Sequence, residues 1–502
     1  MMKRYLSLDL LRGISIFGMV FSATVPHGNL PAWMYHIQNP PPTHALDMTI
    51  SGLSWVDLVF PIFIFCMGVA IPIANNRRIG KNQEKGAANL FIAATLERFI
   101  MLWLFSYLYV FLSYSNINDW RAQLLTIAGF AALFFIYMIA NKRSIGIKVA
   151  GLILACGIIT IGHYAFGEVI SVQRRGIIIF LLAFIYLFGS LIWYFTRGSW
   201  LKRTISILVI LAVTIITQQL DIPAKAYADP SIKWWFNPEY IYFLLILLPA
   251  TMIGEHLIAR GKTEITDVME ATREKKATKT TEMTGTIVTE QVTETRKVTE
   301  AMKNGAKSPA NQNKMFQAMY ALFVFAIVFW LVFAFYQRVY ILNLIVTILS
   351  CTALFFVTRK YFPQYRYMIL SAAILLALGF IFEPLDGGIK KVPCTISYCF
   401  VTCAISIMLL IVCDYICNIS PKGFLTKIFT GAGSNPLISY VAFDNLVVPV
   451  MKLTGFITIY RAAYPDGMPW IGTLRACIIT LITMWIVSLI SPFGRRNMRG
   501  NF

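Results

Sequence analysis

The sequence has 502 residues, of which 57% are hydrophobic and only 14% are charged. Soluble domains carry about 25% charged residues, so this composition excludes a protein whose whole surface faces water. The formal net charge of +20 would suit a nucleic acid partner, but Lys and Arg lie in short segments between apolar runs, as the positive-inside rule places them. We therefore expect an integral membrane protein that binds the lipid bilayer and no nucleic acid.

Apolar runs recur along almost the whole chain. A membrane-spanning helix needs about 20 mostly apolar residues. Candidate segments lie near residues 8–25, 53–75, 88–113, 121–141, 146–166, 176–196, 204–219, 238–258, 315–336, 339–357, 367–383, 393–416, 431–453 and 470–491. They predict an all-α fold, a polytopic membrane helix bundle with about 12 to 14 transmembrane helices.

The distribution of basic residues predicts the orientation of the bundle. If the N-terminus is cytoplasmic, most Lys and Arg between the runs fall in cytoplasmic loops, as the positive-inside rule requires. These include Arg77, Arg78, Lys81, Lys85, Lys142, Arg143, Arg197, Lys202, Arg203, Arg359, Lys360, Arg366, Arg495, Arg496 and Arg499. The longest early loop on the other side, 26–52, contains no Lys or Arg. We expect both termini in the cytoplasm.

Segment 260–314 differs from everything around it. It is rich in Thr, Glu and Lys and contains no aromatic residue. Such a composition cannot bury a core, so we expect a disordered, polar cytoplasmic linker. It would divide the chain into an N-terminal membrane bundle, 1–259, and a C-terminal one, 315–502.

Three of the five histidines, His27, His36 and His44, fall in the loop 26–52. Imidazole is the side chain most often used for proton transfer near neutral pH, so this loop is the first candidate site. The alternative is that these are histidines at headgroup level with ordinary hydrogen bonds. His36 follows Trp33 and Tyr35 and would suit that aromatic interface.

Several ionisable residues lie in apolar context, where a charge needs a partner or a function. Asp9 and Arg12 are three residues apart and share a helix face, so they can pair. Asp57 lies where the second span begins, and Arg98 lies about ten residues into the third, beside Glu97. The alternative for each of these residues is a structural role, in which an ion pair or hydrogen bond only holds helices together.

Five motifs follow one another in a characteristic order. They are SLDLLRG at 7–13, MVF at 19–21, His44-Ala45 ahead of GLSWVDLVFP at 52–61, IKKVPCTISY at 389–398 and GSNPLISY at 433–440. In this order, over nearly the whole chain, they resemble the heparan-alpha-glucosaminide N-acetyltransferase type of transmembrane acyltransferase and its bacterial relatives. The resemblance implies an enzyme of the bacterial inner membrane, as a monomer or homodimer. It would move an acetyl group from cytoplasmic acetyl-CoA to an amine or hydroxyl of an extracytoplasmic glycan or amino sugar.

The resemblance also implies roles for individual residues. His44 corresponds to the catalytic loop histidine and Asp57 to the acid of the span-opening block, with Asn435 and Tyr440 as a late polar pair. Acyl transfer needs a base for the acceptor proton and donors for the oxyanion. His44 would act as the base or carry the acyl group itself.

The donor and the acceptor each need binding groups in this scheme. Arg12 and Arg98 are candidates for the donor's phosphates, with Asn435 and Tyr440 at the same site, while Arg77 and Arg78 fit ordinary topology charges equally well. Lys390 and Lys391 break the charge rule on the outer side, so we expect them, with His36, to contact an anionic acceptor. Contact with lipid headgroups, or pairing with Glu383 and Asp386, is the alternative. No cluster predicts a metal site.

Two other classes of function compete with the acyltransferase. A secondary transporter or flippase would also combine many spans, a central cytoplasmic linker and buried charges. A structural or assembly subunit is a third reading, but it gives no reason for three histidines in one loop.

Overall fold

In a computed structural model of the protein, the described residues are 5–26, 30–81, 87–137, 145–229, 235–260, 309–463 and 467–490. Within these ranges the chain is helical and forms no β-strand. The α-helices are α1 Leu6–Thr24, α2 Trp55–Lys81, α3 Ala87–Phe111, α4 Trp120–Tyr137, α5 Ile145–Phe166, α6 Ile177–Thr196, α7 Trp200–Gln219, α8 Ile222–Ala228, α9 244–260, α10 Pro309–Tyr336, α11 Tyr340–Tyr361, α12 Arg366–Leu385, α13 Ile396–Ile419, α14 Phe424–Gly433, α15 Pro436–Ala442, α16 Val448–Leu453, α17 Phe456–Ala462 and α18 Pro469–Ile490. Short 3₁₀ turns lie at Ala32–Met34, Pro238–Ile241 and Pro363–Tyr365.

Fourteen helical segments in the described ranges are long and apolar enough to cross a membrane. In lipid every backbone N–H and C=O must be satisfied within the protein, which a helix achieves and an open strand does not. The predicted all-α polytopic membrane bundle is therefore confirmed. Each of the fourteen predicted segments overlaps one of these helical segments.

The centre of the bundle is α13, which is 89% buried along its most apolar stretch. The spans containing α9 and α2 are also largely buried. Helices α5, α7 and α11 lie at the periphery, where most of their apolar side chains are exposed. In a bilayer these exposed Ile, Leu and Phe side chains face lipid tails, which are as apolar as they are.

The two halves of the chain share one core. Helix α1 packs against α13, α14 and α18 from the other half, and the largest cluster of buried residues extends from Leu8 to Cys417. The predicted division into 1–259 and 315–502 thus describes order along the chain and not two separate packing units. Of the predicted linker, 261–308 lies outside the described residues, and its last residues already belong to α10.

Two glycines allow α1 and α14 to approach closely. A Cβ atom at Gly13 would overlap the carbonyl group of Phe429, and one at Gly433 would overlap the carbonyl group of Asp9. Small residues at such crossings are how membrane helices bring their backbones together. This contact fixes the start of α1 against the end of α14.

The connections fall on two faces of the bundle. We call the face where α1 begins the amino-terminal face, and the opposite face, which carries residues 25–54, the loop face. The N–H of Gly52 donates to the carbonyl oxygen of Ile389 at 2.7 Å. The α12–α13 connection, 386–395, therefore also lies on the loop face and packs against the histidine loop.

The predicted span 431–453 is a broken helix. Helix α14 ends at Gly433, α15 begins at Pro436, and a π-helical turn, Phe443–Val447, separates α15 from α16. Proline has no N–H to continue the preceding turn. Non-helical backbone at membrane depth is tolerated only where it is enclosed by protein or lines a water-filled cavity, so the break marks a place to look for a site.

Candidate active site

His36 and Asp57 form the most direct candidate for chemistry. The Nδ1 atom of His36 lies 2.7 Å from Oδ1 of Asp57. The Asp57 side chain is only 2% exposed, whereas that of His36 is 36% exposed. A buried carboxylate thus holds one nitrogen of a ring whose remaining edge is reachable, which is how a carboxylate orients a general base.

The Asp57 carboxylate is itself held by neighbouring donors. Its Oδ2 atom accepts hydrogen bonds from the N–H of Ile37 at 3.2 Å and from the N–H and hydroxyl of Ser54 at 3.1 and 2.8 Å. An ionised carboxylate is acceptor-only and matches this set of donors. Because Asp57 begins α2 and Ile37 follows His36, the same contacts fix the histidine loop on the second span.

Lys391 brings a cation to the histidine ring. Its Nζ atom lies 3.4 Å from Nδ1 and 3.5 Å from Nε2 of His36. Burial lowers the pKa of Lys391, and the negative charge of Asp57 opposes this change. The three side chains form one cluster, which we call the loop-face cluster: His36, Asp57 and Lys391.

Gln38 joins the two segments that build this cluster. Its Oε1 atom accepts from the N–H groups of Lys391 at 3.2 Å and Val392 at 2.9 Å, and its Nε2 donates to the Val392 carbonyl at 2.5 Å. On the other side, the hydroxyl of Tyr398 donates to the Asp57 carbonyl at 2.7 Å. The position of Lys391 is therefore set by hydrogen bonds between distant parts of the chain.

Asp57 binds His36 and not His44: its side-chain hydrogen bonds go to His36, Ile37 and Ser54. His44 stands at a left-handed φ of 51° and places its ring edge-on to Tyr35, with centroids 4.5 Å apart. His36, expected with Trp33 and Tyr35 at the interface, is instead the ring that Asp57 binds. His27 lies outside the described residues.

Lys390 does not share the position of Lys391. Its N–H donates to the Thr395 hydroxyl at 3.0 Å, which ties its backbone to the start of α13. In the described part of the chain, neither lysine forms an ion pair with Glu383 or Asp386, the alternative that the sequence left open. Asp386 instead accepts from the N–H of Ser397 at 2.7 Å, and burial raises its pKa.

A second feature is a cavity of about 430 Å³ on the side of α2 away from the loop face. Pockets of about 300–1,000 Å³ are typical of small-molecule sites. Three residues that the sequence proposed for donor binding line it together: Arg12, Arg98 and Asn435. Other lining residues come from α2, α3, α6 and the helix break, including Phe63, Asn75, Glu97, Tyr186 and Ser434.

The two arginines of the cavity differ in their partners. Arg12 Nη1 lies 3.4 Å from Asp9 Oδ1 and donates to the carbonyl oxygen of Gly433, the last residue of α14, at 3.2 Å. The Arg98 guanidinium lies over the Tyr186 ring, 5.0 Å from its centroid, and in the described part of the chain it forms no ion pair with Glu97. The expected Asp9–Arg12 pair is thus present, and the expected alternative, a pairing of Glu97 with Arg98, is not seen among the described residues.

Other residues that the sequence proposed for donor binding are not found among those lining the cavity. Tyr440 is not among the residues lining the cavity; its ring packs edge-on to that of Tyr109, with centroids 6.3 Å apart. The side chains of Arg77 and Arg78 lie outside the described residues. Asn435 reaches the cavity from the helix break, so the predicted late polar pair is divided between two locations.

The loop-face cluster and the cavity lie along one helix. Phe63 lines the cavity and follows Asp57 on α2 by six residues, which corresponds to a rise of about 9 Å. The cavity lining at Phe63 thus lies about two turns of α2 from Asp57. From the sequence, the histidine loop and the donor-binding residues were expected on opposite sides of the membrane, but the distance between them could not be predicted.

Sequence reasoning missed Gln38, Ser54 and Tyr398. Each acts through hydrogen bonds to the loop-face cluster from a segment that the sequence had already singled out. Gln38 lies two residues after His36, and Tyr398 ends the motif that contains Lys391. Their closeness in sequence to predicted site residues was a signal that could have found them. Other polar residues in the same segments carry the same signal, so the sequence gave no reason to prefer these three.

Comparison with known proteins gave one family. No curated protein and no solved structure matches the chain. The matching family model is described as a domain of unknown function, and its match covers just over half of the sequence, from before α1 into α9. The chain, an integral membrane protein with its candidate base inside that region, belongs to the family Domain of unknown function (DUF5009), matched over residues 4–257.

Proposed function

We propose that the protein is a membrane-embedded acyltransferase that moves an acetyl group from acetyl-CoA to an amine or hydroxyl of a glycan or amino sugar. The observation that carries this proposal is the His36–Asp57 pair at 2.7 Å, with a buried carboxylate and a half-exposed imidazole. Acyl transfer to a sugar requires such a base, and a held imidazole contributes factors of about 100 or more. The resemblance to the heparan-alpha-glucosaminide N-acetyltransferase type supports the same reaction.

His36 takes the role that the resemblance gave to His44. Asp57 holds the Nδ1 atom of the His36 ring. The Lys391 ammonium lies at nearly equal distances from the two ring nitrogens, 3.4 Å from Nδ1 and 3.5 Å from Nε2. The Lys391 ammonium can stabilise the negative charge that develops on the acyl oxygen.

In the proposed transfer, His36 takes the proton from the acceptor hydroxyl or amine. The acceptor oxygen or nitrogen forms the new bond to the acyl carbon, the carbon–sulfur bond of the thioester breaks, and the protonated His36 gives its proton to the leaving sulfur. A route in which His36 first carries the acyl group uses the same residue and the same neighbours.

The cavity beside α2 suits the donor. It offers the guanidinium groups of Arg12 and Arg98 and the amide of Asn435, and it extends along α2 towards Asp57. Guanidinium groups bind phosphates through charge-assisted hydrogen bonds. A volume of about 430 Å³ fits the narrow thioester arm of the donor, with its nucleotide nearer the amino-terminal face.

The direction of transfer follows from the charge of the loops. We propose that the amino-terminal face is cytoplasmic, since the basic connections lie there and the loop 26–52 carries no Lys or Arg. The donor would enter from the cytoplasm, and the acceptor would meet the loop-face cluster outside. For a bacterial relative of the family it resembles, this corresponds to the inner membrane.

The direct experiment is an assay of purified protein in lipid nanodiscs with radiolabelled acetyl-CoA and a panel of amino sugars. Label should appear in a sugar product, and His36→Ala should abolish the reaction while keeping the elution profile of a folded protein. Transfer that is absent for every acceptor, together with no binding of acetyl-CoA, would overturn the proposal. Lys390→Gln is a matched control on the same loop that does not touch His36.

A transporter or flippase is the second candidate, and one observation favours it. The helix break between α14 and α15 lies beside the cavity, with a π-helical turn further along. Discontinuous helices of this kind form the binding sites of many transporters. Uptake or lipid scrambling by protein reconstituted in vesicles, without any acyl transfer, would select this function.

A further inference from the structure

A second cavity lies at the amino-terminal face, apart from the proposed donor and acceptor sites. Its volume is about 460 Å³. It opens where three apolar spans end together, and its lining includes Asn76 from α2, Trp193 and Arg197 from the end of α6, and Glu255 from α9. A cavity at this level meets the headgroups of the bilayer.

A buried cation, Arg203, contacts two residues that line this cavity, Trp193 and Glu255. Arg203 is 1% exposed, and its Nη2 lies 3.1 Å from Oε1 of Glu255. Its Nε donates to the Thr196 hydroxyl at 2.5 Å, and its Nη1 donates to the hydroxyl of Thr251. Arg203 thus has its donors matched within the protein, as a buried charge requires, and it fixes the Glu255 carboxylate in place.

The Glu255 carboxylate uses only one of its oxygens for this network. Oε1 accepts from Arg203 and, at 2.7 Å, from the indole N–H of Trp193. No described residue donates a hydrogen bond to Oε2, although the Glu255 side chain lines the cavity and is 35% exposed. The cavity therefore offers a fixed acceptor that suits an ammonium group.

A guanidinium group stands in the same cavity. Arg197 is exposed and lies over the Tyr194 ring, 4.4 Å from its centroid. In the described part of the chain it forms no ion pair, so its forked donors remain available for a phosphate. One cavity at headgroup level thus combines a phosphate-binding group with an ammonium-binding group.

We infer that this cavity binds the headgroup of a phospholipid that carries both a phosphate and a primary ammonium group, with Arg197 on the phosphate and Glu255 on the ammonium. A primary ammonium can donate hydrogen bonds to Oε2 of Glu255, whereas a quaternary ammonium has no N–H. A headgroup with phosphate and hydroxyl groups alone leaves the carboxylate without a cation. The inference does not depend on acyl transfer.

Thermal unfolding of the delipidated full-length protein tests this inference, with phosphatidylethanolamine, phosphatidylcholine or phosphatidylglycerol added in the same detergent. A ligand that binds only the folded state raises the melting temperature. We expect the largest rise with phosphatidylethanolamine, and its loss in Glu255→Gln, which keeps an acceptor for Arg203 and Trp193. Arg359→Gln, an exposed arginine at the same face outside the cavity, should respond as the parent does.

Arg197→Gln is the second variant. Neither phosphatidylethanolamine nor phosphatidylglycerol should raise its melting temperature. The same headgroup can come from a lipid or from a soluble molecule, and soluble glycerophosphoethanolamine distinguishes these two sources. If glycerophosphoethanolamine raises the melting temperature and the lipid does not, the cavity binds the headgroup as a free ligand. Equal stabilisation by all three lipids would overturn the inference. A preference for phosphatidylethanolamine that survives in both variants would also overturn it.

Discussion

His36 Nδ1 and Asp57 Oδ1 lie 2.7 Å apart, and this contact, with the hydrogen bond from the Ile37 N–H, joins the loop-face histidine segment to the start of the second span. An imidazole held in this way has a fixed ring orientation, which general base catalysis requires. His44 is held by different neighbours, with its ring against Tyr35 and its carbonyl oxygen accepting from the Asn39 amide at 3.1 Å.

Turnover should therefore depend on His36 more than on His44. We expect His36→Ala to lower kcat by about a hundredfold or more in protein that still elutes as folded, and His44→Ala to keep most of the activity. Steady-state kinetics on both variants check this. A hundredfold loss in His44→Ala beside an active His36→Ala would return the catalytic role to His44.

Lys391 should supply a positive charge to the transfer. Its ammonium lies 3.4 Å from the His36 ring, so replacement by Gln removes a charge that can stabilise the developing oxyanion. Lys391→Gln should lower kcat at neutral pH by about a hundredfold, measured by steady-state kinetics. Lys390→Gln, the matched control, should keep the kcat of the parent protein.

Burial lowers the pKa of Lys391, which adds an expectation for the pH dependence of kcat. At high pH the lysine of the parent protein loses its charge, so the kcat values of the parent and Lys391→Gln should converge there. Values of kcat that coincide over the whole pH range would show that the Lys391 charge does not act in the transfer.

Close packing of α1 on α14 should be sensitive to one methyl group. A Cβ at Gly433 would overlap the backbone of Asp9 and come within 2.7 Å of the Gly13 nitrogen. Because backbone atoms cannot move aside as a flexible side chain can, Gly433→Ala should destabilise the protein by about 1–3 kcal/mol. Thermal unfolding in detergent measures the effect.

Gly157→Ala is the control for this prediction, since a Cβ there has no neighbour within 4 Å. Alanine is the better helix former, so this variant should be as stable as the parent or slightly more stable. Equal melting temperatures for the two variants would show that α1 and α14 do not pack as closely as described.

The orientation of the bundle can be tested with single cysteines on each face. Lys422→Cys lies in the exposed connection between α13 and α14 on the amino-terminal face, and Thr49→Cys is exposed on the loop face. In intact cells an impermeant thiol reagent should modify position 49 and should reach position 422 only after permeabilisation. The parent protein gives the background from its own cysteines, and the reverse pattern would invert the proposed direction of transfer.

The sequence predicted the spans because each must satisfy its backbone and bury apolar side chains in lipid, which leaves a local signal about 20 residues long. The pairing of Arg12 with Asp9 was also local, since three residues along a helix bring two side chains together. Local sequence gave no signal for which of His36 and His44 is bound by Asp57. The position of His36 depends on a contact between Gln38 and Lys391, which are more than 350 residues apart in the chain. It also depends on a loop conformation that no periodic pattern encodes.

Arg12 and Arg98 were predicted to bind the donor from their charge, and Asn435 and Tyr440 from the family resemblance. Arg12, Arg98 and Asn435 are far apart in sequence, and the helix break at Gly433 to Pro436 brings the last of them to the cavity that the two arginines line. Tyr440 looked equivalent to Asn435 in sequence. It lies beyond the break, beside Tyr109, because α15 turns it away from the cavity lining.

Arg98 should contribute more to donor affinity than Arg12. Arg12 already binds the Asp9 carboxylate and the Gly433 carbonyl, whereas the Arg98 guanidinium contacts the face of Tyr186 and has no hydrogen-bond acceptor among the described residues. Charge-assisted hydrogen bonds contribute about 1.5–3 kcal/mol each. Arg98→Gln should therefore weaken acetyl-CoA binding by about 10- to 100-fold, measured by calorimetry and as a rise in KM with kcat nearly unchanged.

Comparison with a donor fragment separates a phosphate contact from a general disturbance of the cavity. Pantetheine carries the thiol arm of the donor without its phosphates, so its binding to Arg98→Gln should equal its binding to the parent protein. Arg359→Gln removes an arginine from the same face without touching the cavity and should leave both affinities unchanged. If Arg98→Gln binds acetyl-CoA as the parent does, or loses pantetheine to the same degree, the guanidinium does not hold the donor's phosphates.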